Sequence, residues 1–189
     1  DLCDKIRVIS KPMIIAANKA DIAPAQNLEK LKAVGGIVVP TSAAAELALR
    51  SASKAGAINY DLGDKDFSII SQDLSPAQQK ALESIRNFLH KMHNTGIQEC
   101  INKAVFELLD LIVVYPVEDE GKWTDKHGKM LPDAFLMKRG SNAHQLAYKV
   151  HSDIGDRFLY AVDAKTKMRL GEKHELENGS VVKIVSTAK

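Results

Sequence analysis

Two short polar clusters in this chain carry residue types that could act on one ligand: Asn18-Lys19-Ala20-Asp21 and, further on, Thr41-Ser42-Ala43. A carboxylate such as that of Asp21 accepts two hydrogen bonds side by side, and guanine offers that pair in its N1–H and its exocyclic amine. Adenine presents a bare acceptor at N1 and would leave a buried carboxylate unpaired, a penalty of about 1–3 kcal/mol. A site built on Asp21 therefore selects guanine. The aliphatic stem of Lys19 can lie over the flat face of the base, and the Asn18 amide can either tie the two clusters together or donate to N7. In the second cluster the backbone N–H of Ala43 can donate to O6, which adenine lacks. Thr41 and Ser42 would shape that turn, and the small Ala43 side chain leaves the backbone open.

Such a site needs both clusters on one edge of a sheet. The apolar run 13–17 leads straight into the first cluster and Ile37-Val38-Val39 into the second. Both runs are short and continuously apolar, which suits parallel strands buried on both faces. Between them, residues 23–34 carry Leu28, Leu31 and Val34 at helical spacing, and Gly35-Gly36 ends the helix. Strand, helix, strand is a βαβ unit with parallel strands and a right-handed crossover. Both strands then end on the same edge, where open α/β sheets bind their ligands. Upstream, Leu2, Ile6 and Ile9 fall at helical spacing until Lys11-Pro12 stops the pattern. The chain opens on Asp1 with no Met, and we expect a fragment of a longer protein, entered midway down a helix.

Residues 43–55, rich in Ala, Leu and Glu, read as a helix closing the α/β layer, and 56–73 as a loop-rich connection. Ser75-Pro76 starts a helix, with Ser as N-cap and Pro at the first helical position; Leu82, Ile85, Phe88 and Leu89 lie on its apolar stripe. A second helix over 96–109 would complete a helical hairpin. The character then changes. Residues 111–117 are strongly strand-forming, the polar segment 118–129 suits a long hairpin loop, and 134–137 is a short strand. Gly140-Ser141-Asn142 supplies a turn and cap for a short helix that buries Ala143, Leu146, Ala147 and Val150, and strands follow at 158–162 and 181–185. Strand, strand, helix, strand, strand is the β-grasp, or ubiquitin-like, pattern. The expected fold class is thus α/β plus α+β, in three parts: 1–55 with the base-reading clusters, 56–108 as a helical insertion, and 109–189 as the β-grasp domain.

Composition narrows the function classes. At 189 residues, 45% hydrophobic and 26% charged, the chain is neither disordered nor fibrous. Its longest apolar stretch is interrupted by Asp110 and falls far short of the roughly 20 residues of a membrane span, so a soluble protein without a membrane partner is expected. Two cysteines, Cys3 and Cys100, make no disulfide framework; without a secretory signal the expected location is the cytoplasm, with both thiols buried as small hydrophobes. A net charge of +2 is too small to argue for nucleic acid. Lys138-Arg139 with Lys165, Lys167 and Arg169 form a candidate basic edge for RNA, and Trp123 could stack on a base, although packing on its own domain is the better reading. His90 and His93 share a helix face without companions at metal-ligand spacing and suit a solvated helix end. His151 and Asp153 suit a cap or turn.

Asn18-Lys19-Ala20-Asp21 and Thr41-Ser42-Ala43 resemble the fourth and fifth motifs of the P-loop GTPases, N-K-x-D and S-A. The segment 140–184, with Val150-His151-x-Asp153-Ile154, Gly171 and Leu176-x-Asn178-Gly179-x-Val181-Val182-x-Ile184, looks like a TGS domain, the β-grasp module found in some GTPases, threonyl-tRNA synthetases and stringent-response enzymes. A guanine motif, a helical insertion and a TGS module in that order is similar to the Obg-related GTPases of the Obg-like/YchF branch, particularly their archaeal members, over essentially the whole chain. The resemblance implies a partial P-loop GTPase α/β layer. Members of that branch often depart from N-K-x-D and prefer ATP; the intact motif here implies GTP. These enzymes hold the phosphates and magnesium with a Walker A loop, G-x-x-x-x-G-K-[ST]. This sequence has none, and Gly171-Glu172-Lys173-His174 has neither the spacing nor the strand-to-helix context. In the family that loop lies N-terminal to this region, so the fragment alone is expected to be inactive, with Mg2+ bound only alongside the missing part. The resemblance further implies a parent that hydrolyses GTP in association with translation, with the ribosome or RNA as partner of the TGS domain. The alternative is a non-enzymatic RNA- or ribosome-binding module in which the α/β part is scaffold. A tRNA synthetase fragment is disfavoured by the N-K-x-D and by the lack of a synthetase motif.

Overall fold

The computed structural model describes residues 2, 3, 6 and 10–187, so the expected opening helix over 1–10 lies largely outside the described residues. The chain divides into two compact units, Asp1–Leu109 and Asp110–Lys189.

In the first unit, β1 (Ile14–Ala17) and β2 (Ile37–Pro40) pair in parallel, with Ile14 opposite Ile37 and Ala17 opposite Pro40, and α1 (Ala25–Ala33) forms the crossover. The strands are not buried on both faces as their composition suggests: β1 has no buried residue, β2 has only Val39, and α1 buries none. Val34, expected on the inner face of that helix, is 76% exposed. Two strands and one helix offer too little apolar surface to cover each other. α2 (Ala43–Lys54) is capped by Ser42, whose Oγ accepts from the Ala45 N–H. The stretch expected as loop contains a short antiparallel pair, β3 (Ile58–Asn59) with β4 (Ser68–Ile69). Strands of two residues carry no periodicity for a sequence to show.

α3 (Pro76–Met92) opens with a full capping box between Ser75 and Gln78. α4 (Ile97–Asn102) runs on into a π-helical turn, Lys103–Leu108, and packs against β1. Leu49 of α2, Ile58, Tyr60 and Phe67, and Leu82 and Leu89 of α3 form one core. The helical segment therefore shares its apolar centre with the helix that follows the second polar cluster.

The second unit is a five-stranded sheet. It is built from β5 (Leu111–Val117), β6 (Phe135–Lys138), β7 (Phe158–Asp163), β8 (Arg169–Leu170) and β9 (Ser180–Ser186), in the order β6-β5-β9-β7-β8. β5 and β9 are parallel and the other neighbours antiparallel, which is the β-grasp arrangement. α5 (Ala143–Val150) has a capping box between Asn142 and Gln145, and Leu146 and Ala147 on its inner face are fully buried. The one-turn α6 (Ser152–Asp156) and the two-residue β8 exceed the expected pattern. Cys3 is exposed and Cys100 half-buried, contrary to the expectation that both thiols are buried. Among the described residues no helix is long and apolar enough to cross a membrane.

Candidate functional site

Pairing of Ala17 with Pro40 sets the two polar clusters side by side where the strands end. The ladder continues past the strands, because Thr41 N–H donates to the Ala17 carbonyl (2.9 Å) and Ala20 N–H to the Thr41 carbonyl (3.0 Å). Asn18 then joins the clusters through one atom. Its Oδ1 accepts from the backbone N–H of Lys19 (2.8 Å) and from that of Ala43 (3.1 Å).

Lys19 adopts the left-handed region at φ 66°, and its carbonyl takes the N–H groups of Ile22 (3.1 Å) and Ala23 (2.9 Å), which closes a turn around Asp21. Asp21 and Lys19 are exposed, and among the described residues neither side chain has a hydrogen-bond or ion-pair partner. The carboxylate thus faces outward with no protein cation to displace. Thr41 and Ser42 are 1% and 0% exposed, so they support the loop from within and do not line its outer face. The Ser42 hydroxyl is engaged as the α2 cap.

The Ala43 N–H, assigned from sequence to guanine O6, is held by Asn18 in this structure. A base carbonyl would exchange one acceptor for another there, at the N-terminus of a helix where negative charge is favoured. The neighbouring N–H of Ala44 has no partner among the described residues. Asp21, Ile22, Ala44 and Ala45 also border an open hollow of about 300 Å3 whose opposite wall is Ala81, Ile85 and Phe88 of α3. These donors and the unpaired carboxylate fit a guanine base. Among the described residues no group of three or more His, Cys, Asp or Glu could hold a metal ion.

Behind the second cluster lies a buried polar hub that sequence reasoning missed. Glu46, 7% exposed, accepts through Oε2 from the Tyr60 hydroxyl (3.0 Å) and the Thr95 hydroxyl (2.5 Å). Burial pushes the Tyr60 phenol above its usual value, and the charge and hydrogen bond of Glu46 push it further, so Tyr60 stays a donor. The Thr95 carbonyl accepts from the Ser42 N–H at 2.8 Å. Gly96, at φ 79°, passes so close to the same loop that a Cβ there would stand 1.9 Å from the Pro40 carbonyl oxygen. Glu46 sits in a sequence that reads as an ordinary solvated helix face, and the Thr95-Gly96 pair reads as a plain helix start.

The other sequence candidates resolve differently. The Trp123 indole N–H donates to the Ala164 carbonyl at 3.2 Å, and its ring packs on the Val117, Ala164 and Val181 cluster. Of the candidate basic edge, Arg139 pairs with Asp110 (2.7 Å), Arg169 lies over the Tyr160 ring (3.9 Å), and Lys167 donates to the Glu120 carbonyl. His151 caps α6 by accepting the Asp153 N–H, and His90 sits 3.8 Å from Asp66.

Residues 16–119 match the family model described as "Obg-like GTPase YGR210-like, G4 motif-containing domain". The chain belongs to this Obg-like GTPase family. Residues 124–186 of this Obg-like chain match the TGS domain model. It is similar to a GTP-binding protein of Methanocaldococcus jannaschii, 54% identical over 193 aligned positions, which takes in 100% of this chain and 49% of that protein. A second GTP-binding protein of the same organism is 28% identical over 131 positions, 66% of this chain and 30% of that protein. Among solved structures, a GTP binding protein from Pyrococcus horikoshii OT3 superposes with a TM-score of 0.74 at 47% identity, over 97% of this chain and 48% of that one. This chain therefore spans about half the length of the first of these relatives and of the solved structure.

Proposed function

We propose that this chain supplies guanine recognition and a TGS domain to a GTP-binding protein. Asp21 reads the N1–H and amine of the base, the Lys19 stem covers its face, and the Ala43 N–H turns from Asn18 to O6. Thr41 and Ser42 hold the second loop in place. The observation that carries this reading is the Asn18 side chain, which locks the two strand-end clusters into one edge beside an unpaired Asp21 carboxylate.

The phosphates and Mg2+ would be held by residues outside these 189, since no Walker A sequence occurs among them. Phosphate and magnesium contacts normally dominate GTP affinity, so the 189-residue chain alone binds nucleotide weakly. The whole protein would hydrolyse GTP in the cytoplasm in association with translation, with the TGS domain as its contact to the ribosome or RNA. Pelleting with ribosomes, with and without residues 110–189, tests that contact.

The base assignment is tested by Asp21→Asn in the protein that carries this chain. An amide donates where xanthine has a carbonyl, so the variant should weaken GTP by at least tenfold, on the order of one charged hydrogen bond, and bind xanthosine triphosphate better. Equal affinities for the two nucleotides in wild type and variant would sink the assignment.

A further inference from the structure

We infer that the turn Asn94-Thr95-Gly96 is a positioning element for base recognition, which holds the second base loop from behind and makes that loop move with the helical segment. This inference rests on the guanine reading above. The loop between β2 and α2 is short, and three independent ties reach it or its helix from this turn. The Thr95 carbonyl takes the Ser42 N–H at 2.8 Å. The Thr95 hydroxyl donates to Glu46, one turn into α2, at 2.5 Å. Gly96 lies against the Pro40 carbonyl at a distance that admits no side chain.

The turn is itself fixed. His93 ends α3 in the left-handed region at φ 70°, and the Asn94 Oδ1 accepts the Gly96 N–H at 2.6 Å. Thr95 and Ser42 are both 0% exposed, so neither hydrogen bond competes with water. Ala43 follows Ser42 directly, and its N–H direction is set by where Ser42 and the first turn of α2 are held. A shift of α3 or α4 therefore reaches the Ala43 N–H through Thr95 and Gly96, whereas it reaches Asp21, on the other loop, only at second hand, through the Ala20–Thr41 hydrogen bond and the packing of α4 on β1. Thr95 and Gly96 touch no ligand in this account; they act through Ser42 and Ala43.

That asymmetry gives a selective readout. In 6-thioguanosine diphosphate the base keeps the N1–H and amine that Asp21 reads, but sulfur, a weak acceptor, replaces O6. The experiment measures dissociation constants of GDP and 6-thio-GDP for the whole protein that carries this chain, with magnesium present. Thr95→Val should weaken GDP about three- to tenfold, the range of one lost hydrogen bond, and leave 6-thio-GDP nearly unchanged, so that the preference for GDP collapses. Thr95→Ser, which keeps the hydroxyl, should restore it, and Gly96→Ala should act as Thr95→Val does, more strongly. If Thr95→Val does not fold, Tyr60→Phe removes the other hydroxyl from Glu46 and should lower the same ratio. Wild-type GDP affinity and an unchanged ratio in Thr95→Val or Tyr60→Phe, in a protein whose Asp21→Asn variant does turn to xanthine nucleotides, overturns the positioning role and leaves the base assignment standing. An Asp21→Asn variant with unchanged nucleotide choice removes the base assignment and the inference together.

Discussion

Replacing Asn18 with Ala tests the joint on which the site depends. The substitution removes one acceptor that serves two N–H groups, those of Lys19 at 2.8 Å and Ala43 at 3.1 Å. A neutral hydrogen bond contributes about 0.5–1.5 kcal/mol net, and at this exposed position water can replace Asn18, so the pair is worth about 1–2 kcal/mol. The left-handed backbone of Lys19, at φ 66°, costs a residue with a Cβ about 1 kcal/mol, and losing its local hydrogen bond frees it to leave that region. The loss is local, because neither amide belongs to the core around Leu49 and Leu89. Amide hydrogen exchange on the 189-residue chain checks this without any nucleotide. Protection at Lys19 and Ala43 should fall about 5- to 30-fold, the equivalent of 1–2 kcal/mol, while the amides of α5 in the other unit stay as in wild type. In the whole protein GTP affinity should fall by a similar factor. Unchanged exchange at both amides would show that Asn18 does not join the clusters in solution, and the proposed function would lose the observation that carries it.

Two further outcomes follow from the packing. Burial and the Glu46 charge raise the Tyr60 phenol, so in the unfolded chain this group loses its proton first as pH rises. Its contribution is complete below the ordinary tyrosine range, near pH 10, and is lost as pH climbs from there through the raised folded value, at up to about 1.4 kcal/mol per pH unit. Urea unfolding at several alkaline pH values should show Tyr60→Phe with a flatter decline than wild type; parallel declines would contradict it. Leu146→Ala empties the fully buried centre of the β-grasp unit and should cost about 2–5 kcal/mol. Trp123, the one tryptophan of the chain, packs in that same unit, so its fluorescence should report the lowered midpoint, and an unshifted tryptophan transition would contradict the packing.

What the sequence showed and what it hid divide along the range of the interactions involved. Local patterns were legible: Ser75-Pro76 announced the start of α3, Gly140-Ser141-Asn142 that of α5, and the continuous strand-forming run 111–117 a strand with the bounds found. The order of the longer strands and the helix in the last eighty or so residues sufficed for the β-grasp arrangement, whereas the two-residue β8 and the one-turn α6 are too short to carry a period. Burial was less legible. Ile14, Ile15 and Val38 look like core residues, yet within these 189 residues they are only partly covered, since coverage depends on the neighbours a strand has and not on its own composition. The outer face of the site came from motif spacing alone, whereas its support did not. Glu46, Tyr60 and Thr95 are separated by 14 and 49 positions from the partners they bond, and no spacing rule brings a helix glutamate, a loop tyrosine and a turn threonine together.

The same contrast explains why the support matters. In a sheet buried on both faces, strand ends are stiff because each strand is held by neighbours and by covering helices. Among the described residues β1 and β2 pair only with each other, and the helix between them buries none of its residues. A two-stranded pair is marginal by itself, so within these residues the place of the Ala43 N–H relative to Asp21 depends on ties beyond the strand ladder. Two devices supply those ties from different sides. Asn18 ties the loops across the outer edge, where it competes with water and where a bound base could draw Ala43 away from it. Thr95, Gly96 and Glu46 hold the second loop from a buried side that water does not reach. The exposed tie is suited to exchange and the buried one to permanence, which is why replacing Asn18 should loosen both clusters, whereas replacing Thr95 should misplace only one donor.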